Sequence, residues 1–228
     1  MIMAEWRTLK FDRVLRWLRS CAVCGSLKPP IDHVCEACEE KLLKLANTGS
    51  ALLQPDYPFP VYSLFTWNED TASLLRPFLH GFKRGWALQA AWSWAVRHSS
   101  ERSAFGRLAQ PRFVVPPASI VGQRDHAYAL AQAFARQWGS EEPLAFRWLN
   151  APEGRGQKHL SASERAERRF QPLGTCENLQ ASRSLVFIDD VVTTGSTAMA
   201  AYMALGDPES FEVWTLACRP KLAGKSAI

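Results

Sequence analysis

A chain of 228 residues is long enough to bury its own core and to carry a small appended module. With 47% of residues hydrophobic and 21% charged, it is not a disordered chain. A formal net charge of +5 suits phosphate-bearing ligands but does not by itself define a nucleic-acid binder, and no apolar run nears the roughly 20 residues that span a bilayer.

Charge interrupts the first residues, Met1 to Arg7, before a signal-peptide core can form, so a cytoplasmic location is expected. Residues 5–20 place Trp6, Leu9, Val14, Leu15 and Leu18 among Arg7, Lys10, Arg13, Arg16 and Arg19, the pattern of a basic amphipathic helix. Such a helix packs its apolar stripe on a neighbouring domain or lies on a membrane or nucleic acid; packing is the commoner use.

Cys21-x-x-Cys24-Gly25 and Cys35-x-x-Cys38 follow, with ten residues between the pairs. Two such knuckles form a tetrahedral thiolate set suited to structural Zn²⁺, and Gly25 permits the backbone turn that the first knuckle needs. Disulfides compete, but nothing indicates an oxidising compartment. His33 lies close enough to compete as a ligand, yet four Cys already fill a closed site. Cys176 and Cys218 stand alone and read as ordinary core or semi-buried thiols. A short helix continues through Lys41-Leu-Leu-Lys-Leu45.

The Gly- and Pro-containing stretch from Asn47 to Pro60 reads as a linker, which divides the chain into a module over 1–46, a linker over 47–60 and a main domain over 61–228. Val61 to Trp67 is an expected strand, and Asp70 or Thr71 an expected cap for a helix carrying Leu74, Leu75, Phe78, Leu79 and Phe82. Lys83 and Arg84, flanked by Gly81 and Gly85, close that helix or contact an anion. A helix over 86–97 carries three of the nine tryptophans, residues expected mostly as core or interface anchors.

Arg112 to Val115, stopped by Pro116-Pro117, is a short buried strand, followed by a helix over 125–138 and a strand over 144–149. The polar segment from Pro152 to Arg169 contains Gly154, Arg155, Gly156, Gln157, Lys158 and Arg165, and is expected to be functional or mobile.

Leu185-Val-Phe-Ile188 reads as a parallel strand covered on both faces. The carboxylates Asp189 and Asp190 follow, then Val191-Val192, a loop of Thr193, Thr194, Gly195, Ser196 and Thr197, and a helical run Ala198 to Leu205. The unpaired N–H groups and positive dipole end of that helix form a phosphate cradle. Gly195 admits close approach, the hydroxyls add donors, and the two Asp residues face sugar hydroxyls or a hydrated Mg²⁺. A capped helix with two solvated Asp residues is the plainer alternative. A last strand spans Phe211 to Cys218. Strands alternating with helices imply an α/β domain, a mostly parallel sheet with helices on both faces, whose ligands bind beyond the carboxyl ends of the strands.

The run from Leu185 to Thr197 resembles the 5-phosphoribosyl-1-pyrophosphate (PRPP) motif of type I phosphoribosyltransferases. With the four-Cys module, Lys83, Val115-Pro116 and the Gln157, Leu160, Ser161 and Arg165 segment, nearly the whole chain resembles the ComF family, also labelled GntX-like. The resemblance implies a type I phosphoribosyltransferase fold behind a zinc finger, PRPP and Mg²⁺ as ligands, and an association with DNA uptake in competence. By the same resemblance Thr193 to Thr197 hold the 5′-phosphate, with Val192 beside them among the ligand-binding residues, Asp189 and Asp190 hold the ribose hydroxyls, and Cys21, Cys24, Cys35 and Cys38 hold the zinc. Val115-Pro116 matches the strand end that shapes the pyrophosphate loop, Lys83 matches a basic, ligand-binding position after the second helix, and Arg124, Arg155, Lys158 and Arg165 are the candidate leaving-group partners. Family members carry Arg-Gly-Phe-Asn-Gln where this chain has Arg124-Asp125-His126-Ala127-Tyr128, and the Asn usual after Arg165 is absent. Both departures fall on the side where pyrophosphate and acceptor are handled. His126 is the weak general-base candidate. Two functions therefore stand: phosphoribosyl transfer to an unknown nucleophile, or non-catalytic binding of PRPP, a nucleotide or single-stranded DNA beside a DNA-processing partner.

Overall fold

The computed structural model describes residues 21, 23–26, 34–46, 57–83, 96–98, 108, 111–117, 126–149, 170–173 and 184–219. Within them the elements run α1 (Glu36–Leu45), β1 (Val61–Thr66), α2 (Glu69–Lys83), β2 (Arg112–Val115), α3 (His126–Trp138), β3 (Leu144–Trp148), β4 (Phe170–Pro172), β5 (Leu185–Val192), α4 (Ser196–Ala204) and β6 (Phe211–Cys218). The expected basic helix over 5–20 and most of that over 86–97 fall outside the described residues, although 96–98 are helical.

The strands form one six-stranded sheet in the order β1-β6-β5-β2-β3-β4. β1, β6, β5, β2 and β3 run parallel, while β4 closes the edge antiparallel to β3 through Phe146↔Pro172 and Arg147↔Gln171. The expectation of an α/β domain with a mostly parallel sheet is met. The three-residue β4 is too short to show a period in the sequence.

β5 is central because its residues are apolar on both faces. Side chains alternate: Val186 and Ile188 enter a core with Leu130, Ala131 and Phe134 of α3 and Leu75, Phe78 and Leu79 of α2. Leu185 and Phe187 enter a second core with Ala198 and Ala201 of α4. Helices thus cover both faces. Trp214 of β6 is fully buried, with its ring centroid 5.8 Å from Phe113, 5.4 Å from Phe134 and 5.6 Å from Trp138. This tryptophan is the core anchor that the composition led us to expect.

Two local expectations are corrected. The cap of α2 is Asn68 rather than Asp70 or Thr71: Asn68 Oδ1 accepts from the Thr71 N–H, and Thr71 Oγ1 accepts from the Asn68 N–H, each at 2.9 Å. This reciprocal pairing satisfies donors that the first helical turn leaves open, which neither residue does alone. The second concerns β5, which does not stop at Ile188 but runs through both carboxylates to Val192, since β6 continues to offer partners at Asp189↔Thr215, Val191↔Ala217 and Val192↔Cys218.

The cysteine-bearing helix α1 buries Cys38 and Leu42, which share a core with Leu64 and Phe65 of β1, and Ala46 bridges Phe65. Glu39 meets His98 at 3.1 Å.

Candidate functional site

The helix after β2 covers one face of the sheet and the helix after β5 covers the other, and β2 and β5 are neighbours. β2 and β5 therefore flank a topological switch point, and in open α/β sheets ligands bind beyond the carboxyl ends of such strands. Asp189 to Thr197 lie at the end of β5. Extending the register Val114↔Phe187 by two residues brings buried Pro116 level with Asp189.

Asp190 continues the face of Val186 and Ile188, toward α3. Its side chain is 9% exposed, and its Oδ1 lies 3.3 Å from Nε2 of His126, the first residue of α3. Buried Thr215 donates from Oγ1 to the Asp190 carbonyl at 3.0 Å. Asp189, half-buried, accepts the Asp190 N–H on its own Oδ1 at 2.8 Å. The two carboxylates are thus held differently: one is packed against a histidine, and the other sits at the more open face.

Thr193 and Thr194 are exposed, and the hydroxyls of Thr194 and Ser196 lie 3.0 Å apart. Ser196 and Thr197 already belong to the first turn of α4, which begins earlier than the helix formers alone suggest. Its N-cap is Gly195, in the left-handed conformation at φ 65°, with no side-chain cap on the helix. First-turn N–H groups without a side-chain cap leave donors for an anion.

Tyr57 is the residue that sequence reasoning missed. Its hydroxyl donates to the Thr194 carbonyl, and a Cβ at Gly195 would fall within its ring. It lies in a proline-flanked stretch that carries only turn signals, so nothing local marks it. Thr215 was also missed; a polar residue within the buried run Val213 to Cys218 is the one clue the sequence offers.

The other cluster is sulfur. The Sγ atoms of Cys21, Cys24, Cys35 and Cys38 all lie within 4.8 Å of one another, and Cys24 and Cys35 are 3.7 Å apart. Zn–S bonds of about 2.3 Å in a tetrahedron require S···S edges of about 3.8 Å, so the set can hold a metal ion of that size. The N–H groups of Val23 and Cys35 both point at Cys21 Sγ, at 3.4 Å, and Gly25 supplies the turn at φ 73°. Burial, with thiol hydrogen bonds from Cys35 and Cys24, pushes the Cys38 thiol above its ordinary range. A buried thiolate at that position needs a cation. The Ser26 hydroxyl and N–H beside Cys24 hold that thiol down to about 6, although the hydroxyl makes no hydrogen bond of good geometry.

Of the expected site residues, the structure brings together Asp189, Asp190, Val192 to Thr197, Pro116 and His126 at one end of the sheet, and the four cysteines in one cluster. Lys83 ends α2, its side chain outside the described set. Arg124, Arg155, Lys158 and Arg165, together with His33, Cys176, Gln157, Leu160 and Ser161, lie outside the described residues. No helix among the described residues is long and apolar enough to cross a membrane. No protein-family model matches the chain, and no curated protein matches it.

Proposed function

We propose that the chain binds PRPP or a related phosphoribosyl ligand at the end of β5, as a ComF-like protein with a type I phosphoribosyltransferase fold. The observation that carries this reading is the junction of β5 and α4: two carboxylates on the strand end, then a left-handed glycine opening a helix with no side-chain cap. The backbone N–H groups from Gly195 onward and the hydroxyls of Thr193, Thr194, Ser196 and Thr197 hold the 5′-phosphate. Asp189 and Asp190 accept from the ribose hydroxyls; His126 holds the Asp190 carboxylate, and Thr215 holds the backbone carbonyl of the same residue. Pro116 shapes the pyrophosphate side. Mg²⁺, when bound with PRPP beside the two Asp residues, supplies charge neutralisation of the pyrophosphate.

In the transferase form of this reading, the bond from C1 to pyrophosphate breaks with its electron pair leaving on oxygen, while the acceptor's nucleophile bonds C1. Arg124, Arg155, Lys158 and Arg165 are the cations assigned to the leaving group. The four cysteines hold a structural Zn²⁺, since a closed thiolate set leaves no position for chemistry.

Calorimetric titration with PRPP and Mg²⁺, followed by pyrophosphate release across candidate bases, tests both parts. Saturable PRPP binding that weakens about tenfold or more in Asp190→Asn supports the ligand assignment, and release dependent on one base establishes transfer. Salt-sensitive binding of a single-stranded oligonucleotide that PRPP does not displace, with no PRPP binding, overturns the reading in favour of a nucleic-acid-binding competence factor.

A further inference from the structure

The segment Tyr57 to Pro60 is a strap along α4. Tyr57 meets the loop at Thr194 and Gly195. Its ring stacks on Phe59 at 5.5 Å and 9°, and buried Phe59 packs on Tyr202 near the far end of α4 and on Phe211 at the start of β6, with centroids 5.4 and 5.0 Å away. The Pro60 carbonyl then accepts the Val213 N–H at 3.0 Å. Tyr57 is therefore fixed from behind by a run of packed rings.

A trans peptide points its C=O and its following N–H in opposite directions, and no peptide bond among the described residues is cis. The Tyr57 hydroxyl takes the Thr194 carbonyl, so the Gly195 N–H of the same peptide unit points away from Tyr57. A peptide unit followed by glycine can turn over at small steric cost, because both orientations are open to the residue after it. Such a flip would bring the Thr194 carbonyl round to the side now taken by the N–H. There it would repel an anion.

We propose that Tyr57 is a positioning residue of the phosphate loop, locking the Thr194–Gly195 peptide with the Gly195 N–H aimed at the phosphate of a bound ligand. The inference rests on the phosphoribosyl reading given above. It also gives Gly195 a second reason to be glycine: the left-handed turn requires one, and the Tyr57 ring fills the space that a Cβ would take.

The test uses the full chain with ribose 5-phosphate and PRPP as probes, and Tyr57→Phe, which keeps the ring and removes only the hydroxyl. Two measurements are made: the dissociation constant, and the shift of the Gly195 amide proton when phosphate binds. The expected result is a three- to ten-fold weaker Kd, about the size of one hydrogen bond. The downfield shift of Gly195 seen in the wild type should be reduced, with the thermal midpoint unchanged. An unchanged Kd and an unchanged Gly195 shift in Tyr57→Phe overturn the assignment while leaving the ligand reading intact. A lowered midpoint with the Gly195 shift retained shows a packing role only, and likewise overturns it. If the wild type binds neither probe, the phosphoribosyl reading itself fails, and the role of Tyr57 falls with it.

Discussion

The cysteine cluster and the β5–α4 junction are both built on tight turns that end in a helix, yet they leave their polar groups in opposite conditions. At the cysteines everything converges inward: four sulfurs face one another, two backbone N–H groups point at Cys21, and Cys21 and Cys38 are buried with the sheet core. At the junction polar groups face outward: Thr193 and Thr194 are exposed, and α4 starts without a side-chain cap. A closed arrangement holds a fold together, whereas an open one leaves donors for something that arrives later. The left-handed glycines differ in the opposite sense: among the described residues nothing lies near a Cβ at Gly25, while the space beside Gly195 is filled by Tyr57.

The largest test of this contrast is removal of one sulfur. Cys38→Ser should abolish stoichiometric zinc and cost about 3 kcal/mol or more, because α1 loses its tie beside Leu42 and the β1 core. For a domain of this size that is a fall of roughly 6–12 °C in thermal midpoint. Zinc content by atomic emission and a melting curve check it. Retained zinc with an unchanged midpoint would remove the structural role from the cluster.

Asp190→Asn should do the reverse. The side chain keeps its shape, so the fold stays. Affinity for PRPP should fall about 10- to 100-fold, the size of lost charge-assisted hydrogen bonds to the ribose. If Cys38→Ser and Asp190→Asn both lowered stability and affinity by similar amounts, the division between a holding site and a binding site would break.

Much of this division was legible in the sequence, and the reason is locality. Both Cys-x-x-Cys pairs, the apolar strand and the Thr-Thr-Gly-Ser-Thr loop are contiguous, and turn chemistry acts over a few residues. What could not be read depends on partners far away in the chain. β5 runs past its apolar stretch because β6 continues to pair with it, and Asp190 is buried because α3 sets His126 above it. Tyr57 reaches Thr194 across 137 positions of sequence, from a stretch whose prolines signal only a turn. The Asn68 cap was missed for a smaller reason: Asn68, Asp70 and Thr71, within four positions, all suit a cap, and only the reciprocal bond between Asn68 and Thr71 decides among them.

Gly195→Ala sharpens the contrast within the open site. A Cβ in the left-handed region costs about 1 kcal/mol, and here the Tyr57 ring must also move. A midpoint fall of a few degrees accompanied by loss of PRPP binding is expected. Gly25→Ala carries the conformational cost without displacing any of the described residues, so its midpoint should fall less and its PRPP affinity should stay.

The smallest effect lies between the two sites and serves as their control. Glu212 on β6 is half-buried, and burial raises its carboxyl above the ordinary 4.5, partly opposed by the Trp214 Nε1–H that donates to Oε2 at 2.9 Å. A raised folded-state pKa means that the native protein holds this proton more tightly than the unfolded chain. The stability it contributes is fully present below the ordinary value and is lost as pH rises through the folded one. Glu212→Gln cannot ionise, so it should match the wild type at low pH and exceed it by under about 1 kcal/mol near neutrality. Melting curves across that range check the sign. Zinc content and PRPP affinity should not change, since Glu212 belongs to neither the sulfur cluster nor the β5–α4 junction. A shift in either would mean that the sheet between them transmits charge, and that the two sites are less separate than their geometry implies.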